Sequence, residues 1–463
     1  MDDSLRSEVV RQVASVIGEE KVLHEKADLI PYTKDTYTLR FGEEYKYLPD
    51  LVVLPESTED VQRVVEIAAR HKVPLLPKGG GSNRTGMLVP VLGGIIVDTV
   101  KMNRVIEIDK PNLSVTVQSG ITLKTLEEEL NKHGLALNQE QGSLKIATIG
   151  GSISTTGFSR RHNKYGTIGD RIMSLEVVLA DGRILRTGKK VLYTSTGYRL
   201  SQLFLGAEGT LGIITEATLR VEPMPETRDA ILAFYDDFWG ANEAGKKLKA
   251  SGINFVGAEV YEDPETANWG APEGKIGIFF VMFDGLAKEV EAQLEFVRGI
   301  VHETGGLIAE DEYAHKMMNY YEMIWCGARA LTSYQDSVTP VIPQQHTREF
   351  YDKLYNDIMP RYGLDPLGLD KYSLDVGRYC MTYGRFIIPS GEDGYENYRK
   401  AVREIAELSS GLGGSIAGCQ GVGLAQMDNM DIEFSEVALE IMRNIKKCLD
   451  PDNIMNPGKK FRL

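Results

Sequence analysis

At 463 residues, with 42% hydrophobic and 25% charged side chains, the chain has the composition of a soluble globular protein too long for one core of ordinary size, so two or three domains are expected. A formal charge of −14 argues against a nucleic-acid or anionic-membrane surface and leaves a small molecule or a protein as the expected partner. The four cysteines, Cys326, Cys380, Cys419 and Cys448, include no CxxC pair, which speaks against an iron–sulfur cluster or a structural zinc and suits a reducing cytoplasm.

Met1 to Gly18 reads as an amphipathic helix with early acidic residues, without the basic and apolar regions of a signal peptide, and no stretch approaches a membrane span. Leu51 to Leu54 is an apolar strand. Ser57-Thr58-Glu59-Asp60 then opens a helix in a capping-box arrangement, with Val61, Val64, Val65 and Ala68 on its buried face. Val73 to Leu76 is a second apolar run that breaks at Pro77 into Gly79-Gly80-Gly81, followed by Ser82, Asn83, Arg84 and Gly86. Glycines can turn successive backbone N–H groups toward one anion, and the three polar side chains add donors; a dinucleotide pyrophosphate fits such a loop. The spacing is neither GxGxxG nor GxxxxGK[ST]. Strands at Gly94 to Asp98 and Ser114 to Val117 follow, then a helix with Leu123, Leu126 and Leu130 on one face that stops near Gly134.

A second glycine tract runs from Ala147 through Gly150-Gly151-Ser152 to Gly157 and on to Tyr165-Gly166, and Asp181-Gly182 marks a tight hairpin between Leu175 to Ala180 and Ile184 to Arg186. The third cluster, Gly206-Ala207-Glu208-Gly209-Thr210-Leu211-Gly212, enters a strand at Ile213 to Leu219. Three such loops could converge on one extended ligand. Pro223-Met224-Pro225 punctuates the chain as a domain boundary. Beyond it an α+β region holds a helix near Phe238 to Lys249, an apolar strand at Ile276 to Phe283 and a long helix from about Lys288 to His302. An amphipathic helix from Phe434 to Cys448 and a polar turn, Asn456-Pro457-Gly458-Lys459, close the sequence.

Together, PKGGGSNRTG, ATIGGSISTTG with KYGTIGD downstream, LEVVLADGRILRTG, GAEGTLGIITEATLRVEP and the tail LDPDNIMNPGKKF resemble the vanillyl-alcohol oxidase and p-cresol methylhydroxylase superfamily over roughly residues 45 to 223 and 434 to 463. The resemblance implies an α+β fold, with a two-subdomain FAD-binding domain and an α+β cap over the isoalloxazine ring. Expected boundaries are 1–223 for the FAD domain, 224–430 for the cap and 431–463 for a C-terminal segment returning to the FAD domain. Carried over residue by residue, the pattern implies that Gly79, Gly80, Gly81, Ser82 and Asn83 hold the pyrophosphate, with Pro77 a further cofactor-binding residue. Thr148, Gly150, Gly151, Ser154, Gly157, Gly212 and Ile214 would contact the rest of the FAD, with Glu208 and Asn456 near the ring. Some relatives attach FAD covalently; His162, in Arg160-Arg161-His162-Asn163, and Tyr383 are the residues to consider. A solvated basic loop is the expectation for His162, and FAD is expected to be bound without a covalent link.

The N-terminal half is most similar to the D-lactate, glycolate and D-2-hydroxyglutarate dehydrogenase branch, whose cap carries HxGDGNxH and GEHGIG segments. Here those places read Asp375-Val376-Gly377-Arg378-Tyr379-Cys380-Met381-Thr382 and Gly418-Cys419-Gln420-Gly421-Val422-Gly423. Glycines remain and the ligand side chains do not, so no catalytic metal is expected. Flavin chemistry still needs a C–H bond aimed at N5, a proton acceptor and an anion clamp. Arg378, Tyr379, Tyr383, Arg385, Arg329 and Gln420 are the expected catalytic residues. Tyr320, Tyr321, Tyr334 and Tyr372 are further cap tyrosines, and His315 and His346 are the cap histidines available as bases.

The leading expectation is therefore a cytoplasmic FAD-dependent dehydrogenase or oxidase. It would take hydride from a 2-hydroxy acid or alcohol and pass electrons to oxygen or an electron-transfer protein, with a homo-oligomer as a further expectation. Two alternatives stand beside it. Ser337 to Pro343 is similar to the cap of phenol-oxidising relatives, which form a quinone methide, although the usual tyrosine of the glycine loop and the Tyr-Arg pair near Val422-Gly423 are absent. The other is a non-catalytic flavin subunit of a larger dehydrogenase complex.

Overall fold

The structure, a computed structural model, describes residues 1–33, 35, 46–320, 335–367, 371–377, 380–389 and 391–463. The chain divides into two compact units: Met1–Gly157, Thr167–Pro223 and Cys419–Leu463 form the first, and Phe158–Gly166 with Met224–Gly418 form the second.

In the first unit, three short parallel strands, Leu51–Val53, Ile95–Asp98 and Leu75–Lys78, lie side by side in that order, with Val22–Leu23 antiparallel at the edge. Apolar runs without alternation belong to strands covered on both faces, and the packing follows that rule. Leu51, Val53, Leu75, Ile95 and Val97 pack with the helices Asp3–Ile17 and Thr58–His71, while Val52, Leu76 and Ile96 pack on the other side with Leu29. The Thr58–His71 helix starts where the sequence indicates: Ser57 accepts a hydrogen bond from the Asp60 N–H at 3.1 Å. A five-stranded antiparallel sheet follows, ordered Val105–Asp109, Ser114–Gln118, Ile213–Arg220, Ile172–Val178, Ile184–Arg186.

The C-terminal segment completes this unit at the strand that enters the glycine loop. Leu75 N–H donates to Ile454 O and Asn456 N–H to Leu75 O, each at 2.7 Å, so Met455 pairs in parallel with Leu75. Buried side chains then grip backbone. Lys446, on the helix Glu436–Leu449, donates to Thr210 O, Met455 O and the Asp450 carboxylate, and Lys459 donates to Val89 O at 2.7 Å.

The second unit is built on an eight-stranded sheet. Its main path runs Leu307–Ile308, Thr227–Tyr235, Gly277–Gly285, Gly257–Glu262, Tyr372–Val376, Thr382–Ile387, Gln335–Val338, and Asp365–Pro366 pairs with Thr382–Ile387. The helices Phe238–Ala250 and Ala287–Glu303 cover one face. Gly245 lets the first approach closely, since a Cβ there would meet Val376 Cγ2 at 2.8 Å and Val260 Cγ2 at 3.4 Å. On the opposite face Leu232, Ile278, Phe280 and Met282 pack with Ala314 and Met317 of the helix Asp311–Met318. Further along that same face the side chains turn polar, for a reason visible in the register. No helix among the described residues is long and apolar enough to cross a membrane.

Candidate functional site

The three loops singled out in the sequence pack on one another within the first unit. A Cβ on Gly79 would stand 2.2 Å from Thr148 Oγ1, and one on Gly80 would stand 1.6 Å from Ile146 O, so the first loop lies directly on the backbone of the second. Gly209 closes on Pro77, at 3.0 Å from its Cγ by the same measure. Glu208 N–H donates to Ser154 O at 2.8 Å. Gly81 holds φ +75°, which a side chain would resist. Thr148 caps the short helix Ile149–Ser154 by accepting from Gly151 N–H.

Polar atoms without protein partners lie beside this cradle. Ser119 Oγ and Gln141 Nε2 are buried and have no hydrogen-bond partner among the described residues. The first flanks Gly150 and the second Gly157, where added Cβ atoms would meet Ser119 Cβ at 2.7 Å and Gln141 Nε2 at 2.2 Å. Buried polar atoms ordinarily find partners, so a cradle of close glycines with such atoms beside it fits a polar dinucleotide.

Glu208 and Asn456 form a clasp. The Glu208 carboxylate accepts from Val422 N–H at 2.8 Å and Gly423 N–H at 2.9 Å, and Asn456 Nδ2 donates to Glu208 O at 2.7 Å and Met87 O at 3.2 Å. Both residues have positive φ, 54° and 39°, held by these contacts. The Gln420 carbonyl accepts from Asn83 Nδ2 at 3.2 Å, linking that segment to the first glycine loop. Ile214 is buried in its strand.

In the second unit, cross-strand pairing sets which side chains share a face. Glu259 is opposite Asp375, Tyr261 opposite Ser373, Ser373 opposite Tyr383, and Ser337 opposite Arg385. Side chains directly opposite stand on the same side of a sheet, and alternate residues of one strand do likewise, so Glu259, Tyr261, Ser373, Asp375, Tyr383 and Arg385 share one face. Arg385 Nη1 reaches Ser373 Oγ at 3.5 Å, and its guanidinium carbon lies 5.2 Å from the Tyr383 ring centre.

The segment Phe158–Gly166 adds two buried side chains to this group. Arg160 Nε donates to Glu259 Oε2 at 2.7 Å and Nη1 to Met317 O at 2.8 Å, with the guanidinium carbon 4.5 Å from the Phe280 ring centre. Tyr261 OH donates to the same Glu259 oxygen at 2.6 Å. His162 Nε2 lies 3.1 Å from Asp375 Oδ2, and Nδ1 lies 3.2 Å from Ser159 O. Burial, and next the Glu259 carboxylate, push the Asp375 carboxyl well above its usual range. Burial likewise pushes the Cys380 thiol up, against the pull of Lys249, whose Nζ is 3.3 Å from Sγ.

Residues 49–188 match the family described as FAD binding domain, and residues 384–460 match FAD linked oxidases, C-terminal domain. Over 469 aligned residues, covering 99% of this chain and 97% of the relative, the sequence is 30% identical to the glycolate oxidase subunit GlcD of Bacillus subtilis. The chain belongs to the FAD-linked oxidases. It is also 30% identical to a D-lactate dehydrogenase of Archaeoglobus fulgidus, over 89% of this chain and 91% of that one. A crystal structure of p-cresol methylhydroxylase with substrate bound shares the fold, at TM-score 0.80 and 18% identity, covering 99% of this chain and 97% of the other. This FAD-linked oxidase therefore has the α+β architecture and the cofactor expected from its loops.

Within the oxidase the sequence-derived residues fall into three groups. The cradle residues from Pro77 to Asn83 and from Thr148 to Gly157, with Glu208, Gly212, Ile214, Asn456 and Gln420, all belong to the first unit. Tyr383 and Arg385 lie on the polar face of the second. Arg329, Arg378 and Tyr379 lie outside the described residues, as do Cys326, Tyr321 and Tyr334. The reading of His162 as a solvated basic-loop residue is corrected: it is 0% exposed, because its segment packs into the second unit and its imidazole meets a carboxylate there. Tyr372 is fully buried on the helix-covered face, 5.1 Å from the Phe238 ring and 5.0 Å from Tyr351. His315 and His346 sit near the surface carboxylates Asp229 and Glu349. Glu259, Tyr261 and Arg160 were not singled out by sequence reasoning. For Glu259 and Tyr261 a signal was present as polar residues alternating with apolar ones in Gly257–Glu262, a strand buried along nearly its whole length; for Arg160 there was none.

Proposed function

We propose that this oxidase dehydrogenates a small 2-hydroxy acid, removing hydride from the carbinol carbon. The observation that carries the reading is the match along nearly the whole chain, in both directions, to a glycolate oxidase subunit at 30% identity. Bound FAD supplies the hydride acceptor, N5 of its ring. The Pro77–Asn83 and Thr148–Gly157 loops bind the dinucleotide through backbone and small polar groups, and Glu208 and Asn456 hold the loops in register. In the second unit, Arg385 and Tyr383 suit a carboxylate: a guanidinium offers planar paired donors, and a phenol adds a third. Arg378, Tyr379 and Arg329 complete the proposed substrate-binding set. Gln420 is assigned the supporting contact with Asn83.

His162 is engaged with Asp375 and Ser159, which supports FAD held without a covalent bond. Electrons pass onward to an electron-transfer protein or to oxygen in this reading; the acidic chain suits a basic carrier. A cytoplasmic location and self-association belong to the same proposal, the latter supported by exposed Val437 and Ile441 one helical turn apart.

The test is an anaerobic titration of the flavin band with D- and L-2-hydroxy acids, sugars and para-alkylphenols, followed by acid precipitation. Bleaching by a hydroxy acid, with colour released to the supernatant, is the expected result. Bleaching by para-alkylphenols alone would replace this reading with phenol oxidation. A flavin reduced by none of the panel would point to a non-catalytic flavin subunit.

A further inference from the structure

The polar face of the second unit carries two carboxylates directly opposite each other, and they are treated differently. Glu259 is compensated: Arg160 and Tyr261 both donate to Oε2. Asp375 is 3% exposed, and neither of its carboxylate oxygens receives a well-aligned hydrogen bond from the described residues. His162 Nε2 stands 3.1 Å from its Oδ2. A carbonyl can only accept, so the contact to Ser159 O assigns the hydrogen of the imidazole to Nδ1. That leaves Nε2 as the acceptor, facing the carboxyl group.

Two opposed carboxylates in a dry site do not both ionise freely, and burial together with Glu259 favours the proton on Asp375. Among the described residues, the other charged groups around it are Arg160 from the Phe158–Gly166 segment, Lys249 from the helix Phe238–Ala250, and Arg385 farther along the same face, with the Cys380 thiol beside Lys249. Gly377 packs against this pair: a Cβ there would meet Asn163 Oδ1 at 2.9 Å and His162 Nε2 at 3.4 Å, so little space is left for the charge to be solvated.

We propose that Asp375 and His162 hold a single proton between them, and that losing it weakens the binding of an anionic substrate on this face. The inference rests on the hydroxy-acid reading. With the proton present the pair is neutral, Arg160 and Glu259 cancel, and the field of Arg385 favours a carboxylate. Without it the pair carries one negative charge on the face that must receive an anion. Asp375 and His162 are thus positioning residues: they set the field in which substrate binds and do not touch it.

The experiment follows flavin reduction by glycolate and D-lactate from about pH 5.5 to about pH 9 in the full-length FAD-loaded protein and its D375N and H162Q variants. In the wild type the apparent Kd should rise about tenfold across the titration of the pair while the limiting reduction rate changes little. D375N, neutral and of the same shape, should show a flat and low Kd. H162Q, whose neutral amide can accept a hydrogen bond but cannot take up the proton, should shift the transition. A Kd that rises equally in D375N, or does not rise in the wild type, overturns the proposal. If no hydroxy acid reduces the wild-type flavin, the functional reading fails, and the pair is then read directly by infrared difference spectra of wild type minus D375N. A buried protonated-carboxyl band that disappears as pH is raised supports the shared proton, and its absence at every pH overturns it.

Discussion

The two units hold their candidate functional residues by opposite means. In the first, side chains grip backbone: Glu208 holds two N–H groups, Asn456 two carbonyls, and Lys446 and Lys459 further carbonyls. In the second, side chains hold side chains: Arg160, Glu259 and Tyr261 form one set, His162 and Asp375 another. Backbone-gripped loops tolerate little change in shape. A side-chain network tolerates shape changes better, but it responds steeply to a change in charge.

That contrast breaks most visibly at Gly80. Gly80→Ala puts a Cβ 1.6 Å from Ile146 O, a backbone atom that cannot rotate away, so the first two loops must part. The expected outcome is protein that elutes from gel filtration without its flavin colour. Retention of stoichiometric FAD would mean that the loops are not tied together as described. In the second unit the corresponding change is one of charge. Arg160→Met leaves the Glu259 carboxylate buried without its cation, expected to cost about 3–5 kcal/mol in urea unfolding. Adding Glu259→Gln should recover much of that loss, since the uncompensated charge is gone. If the double variant is no more stable than the single one, packing of Arg160 on Phe280, rather than charge, is what the second unit depends on.

The same contrast explains what could be read from sequence. The first unit's candidate site lies in contiguous loops, where glycine spacing and the strand that precedes each loop are local signals; that the loops from Pro77 to Asn83 and from Thr148 to Gly157 come together was legible for that reason. The clasp was half legible: Glu208 and Asn456 were expected near the ring, but the contacts with Val422, Gly423 and Met87 need four distant segments brought together. The second unit's face joins Arg160 and His162 to Glu259 and Asp375, partners 99 or more positions apart in the chain, and no local pattern encodes such pairs. Arg160-Arg161-His162 looks like solvated sequence because charge runs usually are. Only the alternation of polar with apolar residues in two buried strands hinted otherwise.

The smallest expected effect tests whether the first unit's grip on backbone is sensitive to charge after all. Lys459 is buried, and burial lowers its ammonium from the usual 10.5 to about 8, with Asp35 and Glu208 opposing the shift. Between those two values the unfolded chain holds a proton that the folded protein has released, so stability rises with pH across that window. Below about pH 8 both states are protonated, and the folded state bears the full cost of the buried charge. Lys459→Met removes the charge while keeping most of the volume, and gives up the bond to Val89 O. Urea unfolding of both proteins at pH 7 and pH 10 should show the wild type gaining on the variant by about 2–3 kcal/mol as pH rises. Only the difference between the two proteins is diagnostic, because other lysines and tyrosines titrate over the same range in both. Parallel stability curves would mean that the ammonium is solvated in the folded state. In that case the Lys459 ammonium would add nothing to the hold on the C-terminal segment, which would rest on Asn456, the Met455 bridge and the contacts of Lys446.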